Sequence, residues 1–366
     1  MLDAHEPSGA RYAVSAFRTP RALLRLALIG GVLFLGLVAF AWAGGWLSPG
    51  QLNQQRIVET FEAVSGVHPG FRRNHAKGVC LSGSFESNGA GARISRAAVF
   101  ARGRVPVFGR FSLAGGMPRA ADSPASVRSM ALDFELPNGE AWRTGMIDIP
   151  VFIVRNPQEF NEQLASTKPD PQTGKPDPQA VADFFKRHPE SARAAAIVKA
   201  RPFSSGFANA RYNALNTFDF IDAQGAVTPV RWSMVPEDAF VPEPAATPQG
   251  ENYLFDELIA RLRQGPARWH LLLTVGRPGD PTADPTMAWP ADREQIDAGT
   301  LTVSAVQTEE AGNCRDINFD PLVLPDGIAP SDDPLLSARS ATYSVSFTKR
   351  ESERKSPSAI DVGKEP

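Results

Sequence analysis

The run Arg72-Arg73-Asn74-His75-Ala76-Lys77-Gly78 decides how this chain is read. It sets a histidine, able to take and return a proton near neutral pH, beside fixed positive charges. A second run answers it late in the chain, Arg339-Ser340-Ala341-Thr342-Tyr343. Arg339 and Tyr343 are spaced i, i+4, so on a helix they share one face. Asp333 is placed to cap that helix and Pro334 to open it. Each run alone is weak. A lone histidine is usually a satisfied surface or core residue, and a half-buried tyrosine on an amphipathic helix is common. Together the runs offer an acid–base group and a phenol with its own cation.

Around these runs the composition is that of a globular domain. Of 366 residues, 42% are hydrophobic and 21% charged, an ordinary balance. The formal net charge of −2 supplies no basic field, so no nucleic-acid partner is expected. The 32 prolines argue for long loops rather than a helical bundle. Cys80 and Cys314 make neither a disulfide framework nor a zinc site. Whether they pair with each other is left open, because spacing alone cannot place two cysteines within bonding distance.

One segment departs from the average. Leu26 to Leu47 is a run of 22 uncharged, mostly apolar residues, about 33 Å long as a helix and able to cross a bilayer core. Arg11, Arg18, Arg21 and Arg25 precede it, and the next cation is Arg56. That asymmetry puts residues 1–25 in the cytoplasm as a tail and the bulk of the chain outside. The location expected is the inner (plasma) membrane, single-pass, with the main domain on the periplasmic side. Ala41-Trp42-Ala43 resembles a cleavage site, so a removed signal peptide is the competing reading of 26–47.

Beyond the span, Ile57, Phe61 and Val64 recur at helical spacing over 51–66. From about 79 to 154 the pattern turns to short strands, among them Val105–Phe108, Phe111–Leu113, Met130–Phe134 and Val151–Val154. Asn156-Pro157 opens a helix over 157–166 and Asp177-Pro178 another, to about Arg187. A third helix runs from Pro189 to Ala200. Strands near 216–222 and 228–234 flank the turn Asp222-Ala223-Gln224-Gly225. A helix near 251–263, strands at 268–275 and 300–307, and a last helix near 334–346 follow. Residues 351–366 are charged and expected to be disordered. The fold class is α+β, a β-rich core with helical insertions.

In order along the chain, RxxHAKG (72–78), Gly109-Arg110-Phe111-Ser112, Arg128-Ser129-Met130-Ala131, Pro150-Val151-Phe152-Ile153-Val154-Arg155-Asn156-Pro157 with Phe160, and Asn318-Phe319-Asp320-Pro321 through Tyr343 resemble the haem catalase superfamily. More narrowly they resemble its short members, the catalase-related peroxidases. The resemblance covers roughly residues 55–350 and implies an antiparallel β-barrel with helices packed on one side, a haem domain over 51–350. It implies haem b (iron protoporphyrin IX) as cofactor, with Tyr343 as iron ligand and Arg339 favouring its phenolate. His75 is then the base that takes a proton from the near oxygen of a peroxide and the acid that returns it to the leaving oxygen. Ser112 is expected to hydrogen-bond the other ring nitrogen of His75 and fix its tautomer. Arg72, Arg110 and Arg350 are candidates for the haem propionates, which suit the arginine fork. Phe160 is expected against the distal haem face, and Lys77 in a structural role.

The departures from that pattern set the function expected. Full catalases carry a GNNTP run, one asparagine of which orients peroxide. Here the stretch is Gly145-Met146-Ile147-Asp148-Ile149-Pro150, and Asp148 falls beside the key position. Asn74 stands where a small apolar residue is usual. Oxidation of a second peroxide should therefore be impaired and heterolysis retained. The expectation is a peroxidase that reduces hydrogen peroxide or small organic peroxides with an external electron donor, and keeps weak catalase activity at most. A lipid hydroperoxide enzyme and a non-enzymatic haem sensor or carrier are the alternatives. The C-terminal helices that build the full catalase tetramer are missing, which leaves a homodimer open.

Overall fold

The computed structural model describes residues 20–44, 51–123, 125–243, 250–312 and 314–363. It divides into two units, residues 1–53 and 54–366. In the first, helix α1 (Pro20–Ala43) has no buried residue. Pro20 to Arg25, expected in a tail, already belong to this helix, because no helix-breaking residue separates them from the apolar run. The rest of the expected tail, and residues 45–47 of the expected span, lie outside the described residues.

The second unit is built on antiparallel strands: β1 (Gly78–Ser87), β2 (Gly103–Leu113), β3 (Arg128–Glu135), β4 (Ala141–Ile147), β5 (Tyr212–Asn213), β6 (Phe218–Ile221), β7 (Val227–Pro236), β8 (Ala267–Val275), β9 (Gln295–Gln307) and β10 (Ile328–Pro330). Eight of them close in the order β7-β5-β4-β3-β2-β1-β9-β8, with β8 pairing back to β7, while β6 pairs with the first residues of β7, on the side that β5 takes further along, and β10 pairs with β6. Closure leaves no exposed edge on those eight strands. The hairpin between β6 and β7 is the one expected: Asp222 Oδ1 accepts from Gln224 N and Ala226 N, and Gly225 takes a positive φ of 86°.

Along each strand side chains alternate between the two faces. The interior takes Phe111, Met130, Leu132, Phe134, Trp142, Met146, Trp232 and Trp269, all essentially removed from water. Burying one such side chain stabilises the fold by roughly 1.5–3 kcal/mol. Trp142 stacks on Phe134 at 4.9 Å and meets Trp232 edge-on at 5.1 Å.

Helices cover one outer face. Helix α2 (Gln54–Ser65) packs against α3 (Pro157–Ser166) and the long α7 (Pro334–Ser352). Helices α4 (Pro178–Arg187), α5 (Pro189–Ala200) and α6 (Tyr253–Arg263) complete the set used here. Asn156 caps α3, accepting from Glu159 N at 2.9 Å, and Asp333 caps α7, accepting from Leu335 N at 2.9 Å. In both cases proline follows in the first turn.

Three sequence expectations are corrected. Val151–Val154 is not a strand. Its backbone runs between Pro150 and α3 with no strand partner; both Val151 and Val154 are buried, Val151 in a cluster with Ala194 and Val198. Helix α7 runs past 346 to Ser352, because its last turns are held by Arg350, which is buried, and by Lys349, which pairs with Glu62 at 3.0 Å. Residues 353–363 are not a disordered tail: Glu353 accepts from Gly70 N, Ser358 meets Glu309 and Glu310, and Ile360 is buried in the main core. Their charges read as solvated in sequence, but they pair with residues distant in the chain.

Candidate active site

Between the outer face of β2–β4 and the helices lies a cavity. Register explains its floor. Arg110, Ala131 and Gly145 stand side by side across the three strands, and Ser112, Ser129 and Ile147 form the next row. All six line the cavity. Apart from Ile147 the floor is made of small or polar residues, while the bulky Phe111, Met130 and Met146 at alternate positions are buried in the barrel core.

His75 enters over this floor from the loop before β1. It is the only non-glycine with positive φ among the described residues, at 55°, a conformation that is costly unless its surroundings impose it. Here they do. Asn74 Oδ1 accepts from His75 N and from Gly115 N, both at 2.9 Å. Arg110 Nη1 donates to the His75 carbonyl at 2.6 Å, and Arg110 Nη2 to that of Ala76 at 3.0 Å. Gly78 makes this reach possible, since a Cβ there would lie 2.5 Å from Arg110 Cζ. Burial, then Arg110, Arg339 and Arg72, push the His75 pKa down to about 3, so the ring is a neutral base. The hydrogen bond expected from Ser112 is not formed: His75 Nδ1 is buried without a partner. What holds His75 is its backbone, tied to Asn74 and to Arg110 on the same strand as Ser112. Lys77 is structural as expected, its Nζ donating to Asp122 at 2.6 Å and to the carbonyls of Ala120 and Glu251.

The other wall is α7, which brings Arg339, Tyr343 and Arg350 to the cavity. A Cβ on Gly145 would lie 3.7 Å from Arg339 Nη2 and 3.8 Å from Tyr343 Oη, so both tips face one point of the floor. Arg339 Nη1 donates to Asn216 Oδ1, and Asn216 Nδ2 donates to Asp333 at 2.7 Å. The cap of the helix thus also fixes its arginine. Burial raises the Asp333 pKa.

Three guanidiniums meet at one end. Arg110 pairs with Glu309 at 2.7 Å. Arg72 has only carbonyls: its Nη2 donates to Ile317 O at 2.8 Å and Cys314 O at 3.0 Å. Arg350 donates to Arg315 O at 2.9 Å, and its buried Nε has no partner. Burial and the neighbouring arginines hold the Arg72 pKa well below the usual guanidinium range and bring Arg350 to about 10. One carboxylate among three cations leaves two positive charges for acidic groups of a ligand, and an orphaned N–H aimed at none of the protein's own acceptors.

Val127, Ile147, Ile149, Phe152 and Phe160 give the lining an apolar stretch, into which Gln163 and Asn213 bring amides. Phe160 faces the cavity as expected, its ring packed on Phe152 and Phe61. Asp148 turns away from the cavity towards Arg128 and Arg201, and Ile147 takes the floor position. Sequence reading missed Glu309 and Asn216, which lie in no motif, and Gly78 as a steric requirement. Glu159, His188 and Glu190 also converge, but Arg155 occupies that cluster as their counter-charge.

Comparison with known proteins agrees with this geometry. A family model described as Catalase matches residues 51–356. The chain is 38% identical to a protein named catalase-related peroxidase from Synechococcus elongatus, over 89% of this chain and 96% of that one. It is 31% identical to a catalase-related peroxidase from Mycolicibacterium paratuberculosis, over 82% and 96%. Among solved structures, a fungal catalase superposes with a TM-score of 0.70 at 19% identity, over 76% of this chain and 59% of that one. Catalase A from Saccharomyces cerevisiae also gives 0.70 at 19% identity, over 76% and 61%.

Proposed function

The chain belongs to the catalase family, and from that premise we propose that it is a haem-dependent peroxidase that reduces hydrogen peroxide or small organic peroxides at the expense of an external donor. The observation that carries this reading is a cavity with a neutral, half-buried histidine at one side, a tyrosine with its arginine at the other, and two uncompensated cations at one end. That donor set fits haem b: Tyr343 would be the iron ligand, Arg339 would favour its phenolate, and Arg72 and Arg350 would receive the propionates. Bound haem iron supplies the electrons that split the O–O bond.

His75 does the proton work. As a neutral base it accepts the proton of the peroxide's near oxygen, and as the conjugate acid it returns it to the departing oxygen, so water leaves rather than hydroxide. Arg110 and Asn74 hold its backbone, and the apolar wall excludes competing water. Ile147 in the floor offers no hydrogen bond to orient a second peroxide as reductant. That supports peroxidase over efficient catalase action.

The same proposal places the domain outside a membrane. Helix α1 is apolar from Leu26 onward and long enough to span, and a Cys80–Cys314 disulfide, Cα–Cα 5.3 Å, belongs to an oxidising compartment. The test is peroxide consumption with and without an added reductant. Turnover should depend on the reductant and fall by roughly 10²–10⁴-fold in His75→Ala. Undiminished turnover in that variant would exclude the mechanism, and an unchanged haem spectrum in Tyr343→Phe would exclude the ligand.

A further inference from the structure

We propose that the Cys80–Cys314 disulfide is the positioning element of the carboxylate-binding end of the cavity, a covalent strut that keeps Arg72 and Arg350 where two cofactor propionates meet them; this rests on the haem reading above. Cys80 lies on β1 opposite Arg110 in register. Cys314 opens the tight turn Cys314–Asp316. Both are buried, and with Phe319 they form a small cluster apart from the main core, against which Ile317 and Tyr343 pack.

The backbone of this segment supplies what holds the two arginines. Cys314 O and Ile317 O accept from Arg72, and Arg315 O accepts from Arg350. The Phe319 ring lies 5.4 Å from the Arg72 guanidinium. Carbonyl dipoles cancel a guanidinium charge only in part, and the two cations repel each other across a buried site. In the cofactor-free protein that repulsion pushes the 314–319 segment off the barrel. Arg143 donates to Asn318 O at 2.9 Å, and Lys355 pairs with Asp316 on the exposed side. Such partly exposed ties contribute little. The bond between Cys80 and Cys314 is the tie that cannot yield. It pre-organises the anion end before any carboxylate arrives, and does so only where thiols are oxidised.

Three forms of the full chain test this: oxidised wild type, wild type prepared with both thiols reduced, and Cys80→Ala/Cys314→Ala. Each is loaded with ferric protoporphyrin IX or with its dimethyl ester, and release to an excess of apomyoglobin is timed while circular dichroism reports the barrel. The oxidised form should keep protoporphyrin about tenfold longer or more than the other two, whereas the ester, which lacks the carboxylates, should leave all three at one rate. Equal retention of protoporphyrin in all forms would overturn the proposal. So would faster ester release without the bond, which would mean that the bond serves the fold at large, or loss of the barrel in both bond-free forms. Oxidised protein that binds neither porphyrin would remove the haem reading itself, and this proposal with it.

Discussion

Strands β2, β3 and β4 present two faces that differ by a single residue of register. The inner one carries Phe111, Met130, Trp142 and Met146, and the outer one Arg110, Ser129, Ala131 and Gly145. The inner face is closed by buried side chains that form one core cluster, and such interiors are close-packed. The outer face is left underfilled, and over it Arg72 and Arg350 bond only carbonyls. Stability and chemistry are thus written on alternate residues of the same strands, which makes them separable by mutation.

Trp142→Ala attacks the inner face and should cost about 3–5 kcal/mol in denaturant unfolding. A loss below about 1 kcal/mol would mean that the barrel interior is not the core it looks like. Ala131→Leu attacks the outer face. Its extra carbons enter the cavity, so haem affinity should fall at least about tenfold while unfolding of the haem-free protein shifts by no more than about 1 kcal/mol. Haem retained with a strongly destabilised fold would erase the distinction between the faces. The smallest effect is in pH. His75, over the outer face, has a pKa of about 3 rather than 6.5. The unfolded chain takes up this proton as pH falls through 6.5 and the folded one only near 3, so its share of stability is full above 6.5 and lost on going down towards 3. The peroxide step should accordingly show no inflection near 6.5. An activity profile that titrates there would return His75 to an exposed, ordinary imidazole.

Much of the architecture was legible because it rests on local chemistry. Asn156-Pro157, Asp177-Pro178 and Asp333-Pro334 each start a helix where a cap and a proline say so. The two outlying runs, 72–78 and 339–343, do line one cavity. What was not legible depends on contacts distant in the chain. Val151–Val154 has the apolar content of a strand but no neighbour to pair with. Residues 353–363 look solvated until Glu353 meets Arg73. Ser112 sits at the expected place, yet His75 is held through its backbone by Asn74 and Arg110, and no spacing rule reports the direction of a side chain.

Arg73, two residues before His75, is clamped between Glu62 and Glu353, the latter 280 positions away. That clamp sets a timetable. The first half of the clamp, Glu62, precedes Arg73, but the second half, Glu353, is made 280 residues after it. While the polypeptide is still growing there is no finished pocket, so the porphyrin cannot be taken up as the chain emerges.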